Sequence, residues 1–314
     1  MKNRMVNSQF SIFNFQFSIL NFQLSILNFQ FSIVNSQLIM EVRANYIKRI
    51  EIHGLWNRYD IAWDLRPDVN ILSGINGVGK TTILNRSVTY LEQTSGRLKD
   101  GALGGVQVWF DNEEATYIPF DVIRSYDRPL VQGDFTARMA DPLVRTEIDW
   151  QIYLLQRRYL DYQVNIGNKM IAMLSGDEAQ RAKAGDLAKP KVRFQDMIDQ
   201  LFSYTGKHID RQSNELSFIQ FGETISAYQL SAGEKHMLVI LLTTLLRCGE
   251  HSVLFMDEPE ASLHIEWQEQ LISMIRELNP NMQLILSTHS PAVIMHGWME
   301  AVTEVSEIAT EIDA

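Results

Sequence analysis

The sequence predicts an α/β fold built around a mostly parallel sheet, and three observations predict it. A glycine-rich loop, Gly74-Ile75-Asn76-Gly77-Val78-Gly79-Lys80-Thr81-Thr82, links the β-rich run Val69–Ser73 to a helical stretch opening at Thr82-Ile83-Leu84. The short apolar run Ser252–Met256 ends in Asp257-Glu258-Pro259. A second such run, Met282–Leu286, ends in Ser287-Thr288-His289-Ser290. Continuous apolar runs this short read as strands buried on both faces, and the carboxyl ends of such strands are where open α/β sheets place ligands.

The loop has the spacing G-x-x-x-x-G-K-[ST] in a strand–loop–helix context, which is what a phosphate-binding loop needs. Its glycines let the backbone turn its N–H groups inward, and the helix that follows adds the partial positive charge of its N-terminus. Gly74, Asn76, Gly77, Gly79, Lys80, Thr81 and Thr82 are therefore the nucleotide-binding candidates. Lys80 would reach the β- and γ-phosphates, and the Thr81 hydroxyl would bind Mg²⁺. Asp257 would hold the same Mg²⁺ through water, and Glu258 would polarise the attacking water. His289 follows the acidic pair by one strand–helix–strand unit and fits a sensor of the γ-phosphate. The cofactors implied are ATP and Mg²⁺.

A fourth segment, Leu230-Ser231-Ala232-Gly233-Glu234-Lys235, opens an apolar helical stretch that runs to Leu246. Ser231 reads locally as a helix N-cap, and that N-terminus suits an anion. With this segment the chain resembles the ABC-class ATPases of the RecF/SMC/OLD-like kind, including stand-alone bacterial ATP-binding proteins. Residues 230–235 look like their signature LSxGE[KR]. Asp257–His264 look like their Walker B and D-loop, and Ser287–Pro291 like their H-loop. The likeness covers about residues 46–298 and is weak between 90 and 225.

The resemblance implies a P-loop NTPase fold: an ABC-type head with an N-terminal antiparallel β region, a mixed or parallel core sheet and a short helical insertion. It also implies that Ser231 and Gly233 act in trans, on ATP held by the loop of a second head. An ATP-dependent homodimer follows as the expected assembly. Two alternatives are weighed against this ATPase. An ABC transporter subunit is disfavoured by Ser-Ala-Gly-Glu where transporters carry Gly-Gly-Gln, and by Ala261-Ser262-Leu263-His264 in place of Ser-Ala-Leu-Asp. A non-catalytic ATP sensor is disfavoured because every catalytic residue is present.

The expected organisation is a repeat segment (1–39), a first lobe with the phosphate loop (40–142), a helical arm (143–207), a second lobe (208–300) and an acidic tail (301–314). In the arm, helical spacing covers 143–174, a charged connection runs from Gly176 to Pro190, and a second helix covers Val192–Tyr204. Strand-like runs on either side of Gly222 read as a hairpin. Ile47–Ile52 and Asp60–Leu65 read as a strand pair leading into the loop, with Trp56 and Tyr59 as aromatics that either pack or meet an adenine. No Gln occupies a recognisable Q-loop context. Gln107, Gln132 and the segment Phe120–Asp127 are the places considered.

Residues 7–40 repeat with a period of seven, as in Asn14-Phe15-Gln16-Phe17-Ser18-Ile19-Leu20, and carry no charge. Recurrent Asn, Gln and Ser interrupt every apolar run, so neither a spanning helix nor a signal peptide fits. Apolar residues at positions 2, 4, 6 and 7 of that unit do not make a coiled-coil seam. The expectation is a translated upstream repeat with the functional start at Met40.

The single cysteine, Cys248, argues against disulfides and for a reducing, cytoplasmic setting, with Cys248 expected in the core. The net charge of −10 disfavours a general polyanion binder. Ten basic residues between Arg157 and Arg211 mark the one stretch where nucleic acid could bind, although a solvated face is the simpler reading. No nuclease motif follows residue 291, so any effector is expected to be a separate chain.

Overall fold

The computed structural model describes residues 41–98, 101–124 and 143–312. In chain order, β1 (Ile47–Leu55) and β2 (Tyr59–Asp64) form an antiparallel pair, followed by β3 (Val69–Ser73), α1 (Lys80–Thr94), β4 (Val106–Phe110) and β5 (Phe120–Arg124). The arm is α2 (Glu147–Leu174), α3 (Glu178–Lys183), a 3₁₀ turn at Ala184–Ala188, and α4 (Lys189–Phe202). The second lobe holds β6 (Lys207–Ile209), β7 (Ser217–Gln220), β8 (Glu223–Ser226), α5 (Ala232–Leu246), β9 (Ser252–Asp257), α6 (Ile265–Leu278), β10 (Met282–Ser287) and α7 (Pro291–Met295). The chain continues through β11 (Val302–Glu304), α8 (Val305–Ile308) and β12 (Ala309–Glu311).

The apolar runs read from the sequence are adjacent strands of one parallel sheet, ordered β11-β3-β10-β9-β5. Their residues are buried on both faces, so the strands carry no alternation. A second sheet, β12-β2-β1-β4, is antiparallel. One buried amide joins the two sheets. Gln283 of β10 accepts from the Ile47 N–H (2.8 Å) and donates to the carbonyls of Ile47 (2.9 Å) and Arg66 (2.7 Å), so its polar atoms are satisfied without water. This is the α/β arrangement expected of an ABC-type head: an antiparallel region at the N-terminal side and a parallel core.

The structure departs from the sequence reading in several places. The arm's first helix starts at Glu147, where Thr146 and Asp149 form a reciprocal capping box. Residues 176–190 are not a plain connection, because Asp177 caps the short α3 and the 3₁₀ turn runs into α4. Residues 302–311 are not a loose tail: β11 extends the parallel sheet beside β3, and β12 closes the edge of the antiparallel sheet. Cys248 is exposed and lies past the end of α5 at φ 54°, so it is no core residue. Gln107 lies in β4 opposite Glu51. Residues 1–40, Gln132 and 125–142 lie outside the described residues.

Helix α5 is apolar nearly all round and runs through the core. It carries His236, 3% exposed, whose Nε2 has no hydrogen-bond partner among the described residues. Burial pushes this imidazole down to about 4 from its ordinary 6.5. The folded protein therefore holds it neutral, while the unfolded chain protonates it below 6.5. Its contribution is complete above pH 6.5 and is lost as the pH falls toward 4. Urea unfolding at pH 7 and pH 5 is expected to show about 2 kcal/mol lost through this group. His236→Leu should flatten that slope, and an unchanged slope in the variant contradicts the assignment.

Candidate functional site

The phosphate loop needs its glycines at Gly74 (φ 146°), Gly77 (φ 83°) and Gly79 (φ 109°), values that other residues rarely adopt. A Cβ on Gly79 would also stand 2.6 Å from the Trp56 ring, which lies against the loop from the β1–β2 turn. Lys80 is 5% exposed and donates to the carbonyls of Gly74 (3.0 Å) and Ile75 (3.2 Å). Burial lowers its pKa, opposed by the charges of Glu258, Asp257 and Glu260. Gly79 gives α1 no side-chain cap, and the first turn of the helix holds no acid. That N-terminus thus keeps its positive end for an anion, and a buried ammonium beside it fits a polyphosphate.

The parallel register sets the next layer. Ser287 of β10 stands directly beside Asp257 of β9 and beside Leu72 of β3. Both the Thr81 hydroxyl (3.1 Å) and the Ser287 hydroxyl donate to Asp257 Oδ1. Two hydroxyls around one carboxylate make a hard oxygen set, the donor chemistry that Mg²⁺ takes. No cluster of three or more His, Cys, Asp or Glu suited to a metal occurs among the described residues. Such an ion would complete its shell with phosphate oxygens and water, which is how Mg²⁺ is commonly held.

Glu258 turns the chain sharply after β9, at φ 49°, with its N–H on the Ser287 carbonyl (3.0 Å). A glutamate in this region is strained, and such strain gathers at functional sites. The turn directs its carboxylate to His289, 3.6 Å from Nε2, and both side chains remain partly exposed. At that separation the two are near neighbours and not hydrogen-bonded, and they set a carboxylate and an imidazole, the groups that general acid–base chemistry uses, side by side past the strand ends.

Sequence reasoning did not single out Glu260. Its Oε1 accepts from the Thr288 hydroxyl (2.5 Å) and from the His289 N–H (3.0 Å), while Oε2 is buried without a hydrogen-bond partner among the described residues. Glu260 thus holds the loop that carries His289. Gln268 steadies the same loop, accepting from the Ser290 hydroxyl (2.7 Å). The only sequence signal was position: Glu260 is one residue past the Asp-Glu-Pro run. Tyr59 faces its own neighbour, Arg58, whose guanidinium lies 5.2 Å over the ring, whereas Trp56 lies on the phosphate loop.

Ser231 and Gly233 stand elsewhere. Ser231 caps α5, accepting from the Glu234 N–H (3.3 Å), while the Glu234 carboxylate accepts from the Ser231 N–H (2.8 Å). A Cβ on Gly233 would lie 2.5 Å from the Ser262 carbonyl, so glycine is required where this turn meets residues 258–263. Both residues line an open cavity of about 640 Å³ with Tyr204, Ser262, His264 and Ile265, and none of residues 74–82 lines it. The structure therefore assembles Lys80, Thr81, Asp257, Glu258 and His289 past the carboxyl ends of the central strands and leaves Ser231 and Gly233 on an open cavity.

Residues 169–295 match the family model described as "AAA domain, putative AbiEii toxin, Type IV TA system". A stretch of 122 residues is 28% identical to the retron Vc95 probable ATPase of Vibrio cholerae serotype O1 biovar El Tor. The match covers 35% of this chain and 23% of that protein, so this chain spans about a quarter of the relative's length. A shorter stretch of 62 residues is 40% identical to ABC transporter A family member 7 of Dictyostelium discoideum, covering 20% of this chain and 7% of that one. Among solved structures, the SMC head bound to the C-winged helix domain of ScpA aligns with TM-score 0.48 at 12% identity, over 85% of this chain and 97% of that one. The SMC head domain from Thermotoga maritima aligns with TM-score 0.41 at 16% identity, over 85% and 98%. No described helix is long and apolar enough to cross a membrane.

Replacing Glu260 separates its anchoring role from mere charge. Glu260→Ala strips the acceptor from a buried hydroxyl and a backbone N–H, which costs about 1–3 kcal/mol in urea unfolding. It should also lower the protection of the His289 amide against hydrogen exchange, since the acceptor of that N–H is gone. Glu260→Gln keeps an acceptor oxygen and should retain most of both. Equal behaviour of the two variants contradicts the anchoring role.

Proposed function

We propose that this chain binds Mg-ATP, hydrolyses it, and dimerises head to head while ATP is bound. The observation that carries the reading is the cluster at the carboxyl ends of the central strands: Lys80, Thr81 with Asp257 and Ser287, and Glu258 against His289. The loop N–H groups and Lys80 would bind the phosphates, and Thr81 and Asp257 would hold Mg²⁺. When bound, Mg²⁺ would neutralise charge on the phosphate oxygens. Glu258 would take a proton from the attacking water, and His289 would hold that carboxylate's orientation and contact the γ-phosphate.

The exposed signature supports the dimer. Ser231 and Gly233 line a cavity that the chain's own phosphate loop does not, which leaves them open to a nucleotide held by a second copy. The first turn of α5 also grips both roots of the arm. Glu234 receives Lys207 (2.9 Å) and Thr205 (2.8 Å), and Lys235 donates to Asp149 (2.8 Å). Burial pushes the carboxyls of Glu234 and Asp149 up, but their hydrogen bonds to Lys207 and Lys235 and to backbone N–H groups hold both below the usual range. A nucleotide touching Ser231 would thus act on a turn that is rigidly tied to the arm.

The partner we favour is a separate effector protein gated by this cycle, in a defence or mobile-element process of the kind that the names of the matched family and the retron relative suggest. Nucleic acid is the weaker candidate. Arg158, Lys189, Arg193, Lys207 and Arg211 of the basic stretch are all in ion pairs with acids of this chain, which lowers the potential that a polyanion would meet.

Complementation tests the shared site. Lys80→Ala and Ser231→Arg should each abolish turnover alone. Mixed in equal amounts they should recover about a quarter of wild-type turnover, since only hybrid dimers of a two-fold assembly hold one intact site. No recovery on mixing would contradict a site built from two copies.

A further inference from the structure

The solvent face of α2 carries an apolar stripe that the head does not use. Leu160, Val164, Ile171 and Leu174 are 43%, 54%, 65% and 54% exposed. With Gly167 they follow spacings of four, three, four and three residues along the helix. That is the period of a coiled-coil seam, with Val164 and Ile171 at a and Leu160, Gly167 and Leu174 at d. The face that packs on the body is a different one, formed by Ile152, Leu155, Tyr159 and Tyr162.

We infer that this stripe pairs with the same stripe of a second copy, as a short parallel two-stranded coil between the arms of the dimer. The side chains choose the occupant. β-Branched residues at a with Leu at d favour two parallel strands. A parallel pair would be flanked by the uncharged Gln163 and Asn168, with Gln163 held in its own chain by Lys191 (2.6 Å) and the Asn214 carbonyl (2.8 Å), so no like-charged side chains face each other across the seam. The root of α2 adds a geometric reason. Asp149, in its first turn, is bonded to Lys235, four residues past Ser231. In the proposed dimer the two arm roots are related by a two-fold axis, which is also the symmetry of a parallel pair of identical helices. Two heptads are too short to hold a coiled coil unaided, so the stripe would act as an addition to an existing dimer, at the high local concentration that the heads provide.

The inference rests on the head-to-head dimer proposed above, and its test reads the two separately. In full-length protein with Cys248→Ser and Glu258→Gln, a cysteine is placed at Val164, on the seam, or at Asn165, exposed beside it. Disulfide formation is followed under mild oxidation with and without Mg-ATP, while light scattering reports the mass. Val164→Cys is expected to cross-link at least ~10-fold faster than Asn165→Cys, because a disulfide needs its two Cα atoms within about 7 Å. Adding Leu160→Glu and Ile171→Glu, both at exposed positions, should remove that advantage. A dimer by light scattering with equal cross-linking at 164 and 165 overturns the arm contact and leaves the head dimer standing. A monomer at every condition overturns the head dimer. Selective cross-linking at 164 in that case still supports arm pairing, and its absence overturns that too.

Discussion

The parallel register of β3, β10 and β9 is the constraint on which the site depends. Ser287 is in register with Leu72 on one side and Asp257 on the other. The phosphate loop, the Asp257-Glu258 turn and the His289 loop therefore leave the sheet at the carboxyl ends of adjacent central strands and at one level. Because these strands are buried on both faces, no solvent face exists onto which they could slip. The chemistry is then local. Thr81 and Ser287 converge on Asp257, and the left-handed turn at Glu258 lifts its carboxylate to His289.

A second constraint links these strand ends to the arm. Glu234 and Lys235, side by side in the first turn of α5, are bound to opposite ends of the insertion through Lys207 and Asp149. Buried ion pairs like these contribute little net stability over an apolar replacement, yet removing one partner leaves a costly unpaired charge. Their value is fixed geometry: the signature turn cannot shift without moving both roots of the arm. Gly233, packed on the Ser262 carbonyl, extends the same rigidity to the turn that carries Glu258 and Glu260.

What was legible in the sequence is what short-range chemistry dictates. The three central strands showed as apolar runs because burial on both faces removes the alternation, and the loop showed because only glycines meet its positive φ angles. What was not legible depends on pairing between distant segments. Strands β11 and β12 are three residues each and too short to leave a period, so residues 302–311 looked like a tail. Glu260 looked like one more surface acid, because its partners, Thr288 and the His289 N–H, come from the neighbouring loop. Cys248 looked buried because the helical run before it is apolar, but α5 ends at Leu246 and the chain turns outward. The ion pairs that neutralise the basic stretch likewise join separate elements, as in Arg193 with Glu277.

The central claim is that ATP joins two of these heads and that Glu258 parts them. The most direct measurement is the mass of the full-length Glu258→Gln variant by light scattering, with and without Mg-ATP, beside the wild type. The account predicts that the variant doubles its mass on ATP and stays doubled, while the wild type returns to monomer as it consumes the nucleotide. A variant that binds ATP and remains monomeric would contradict it, and would mean that a different chain completes the site.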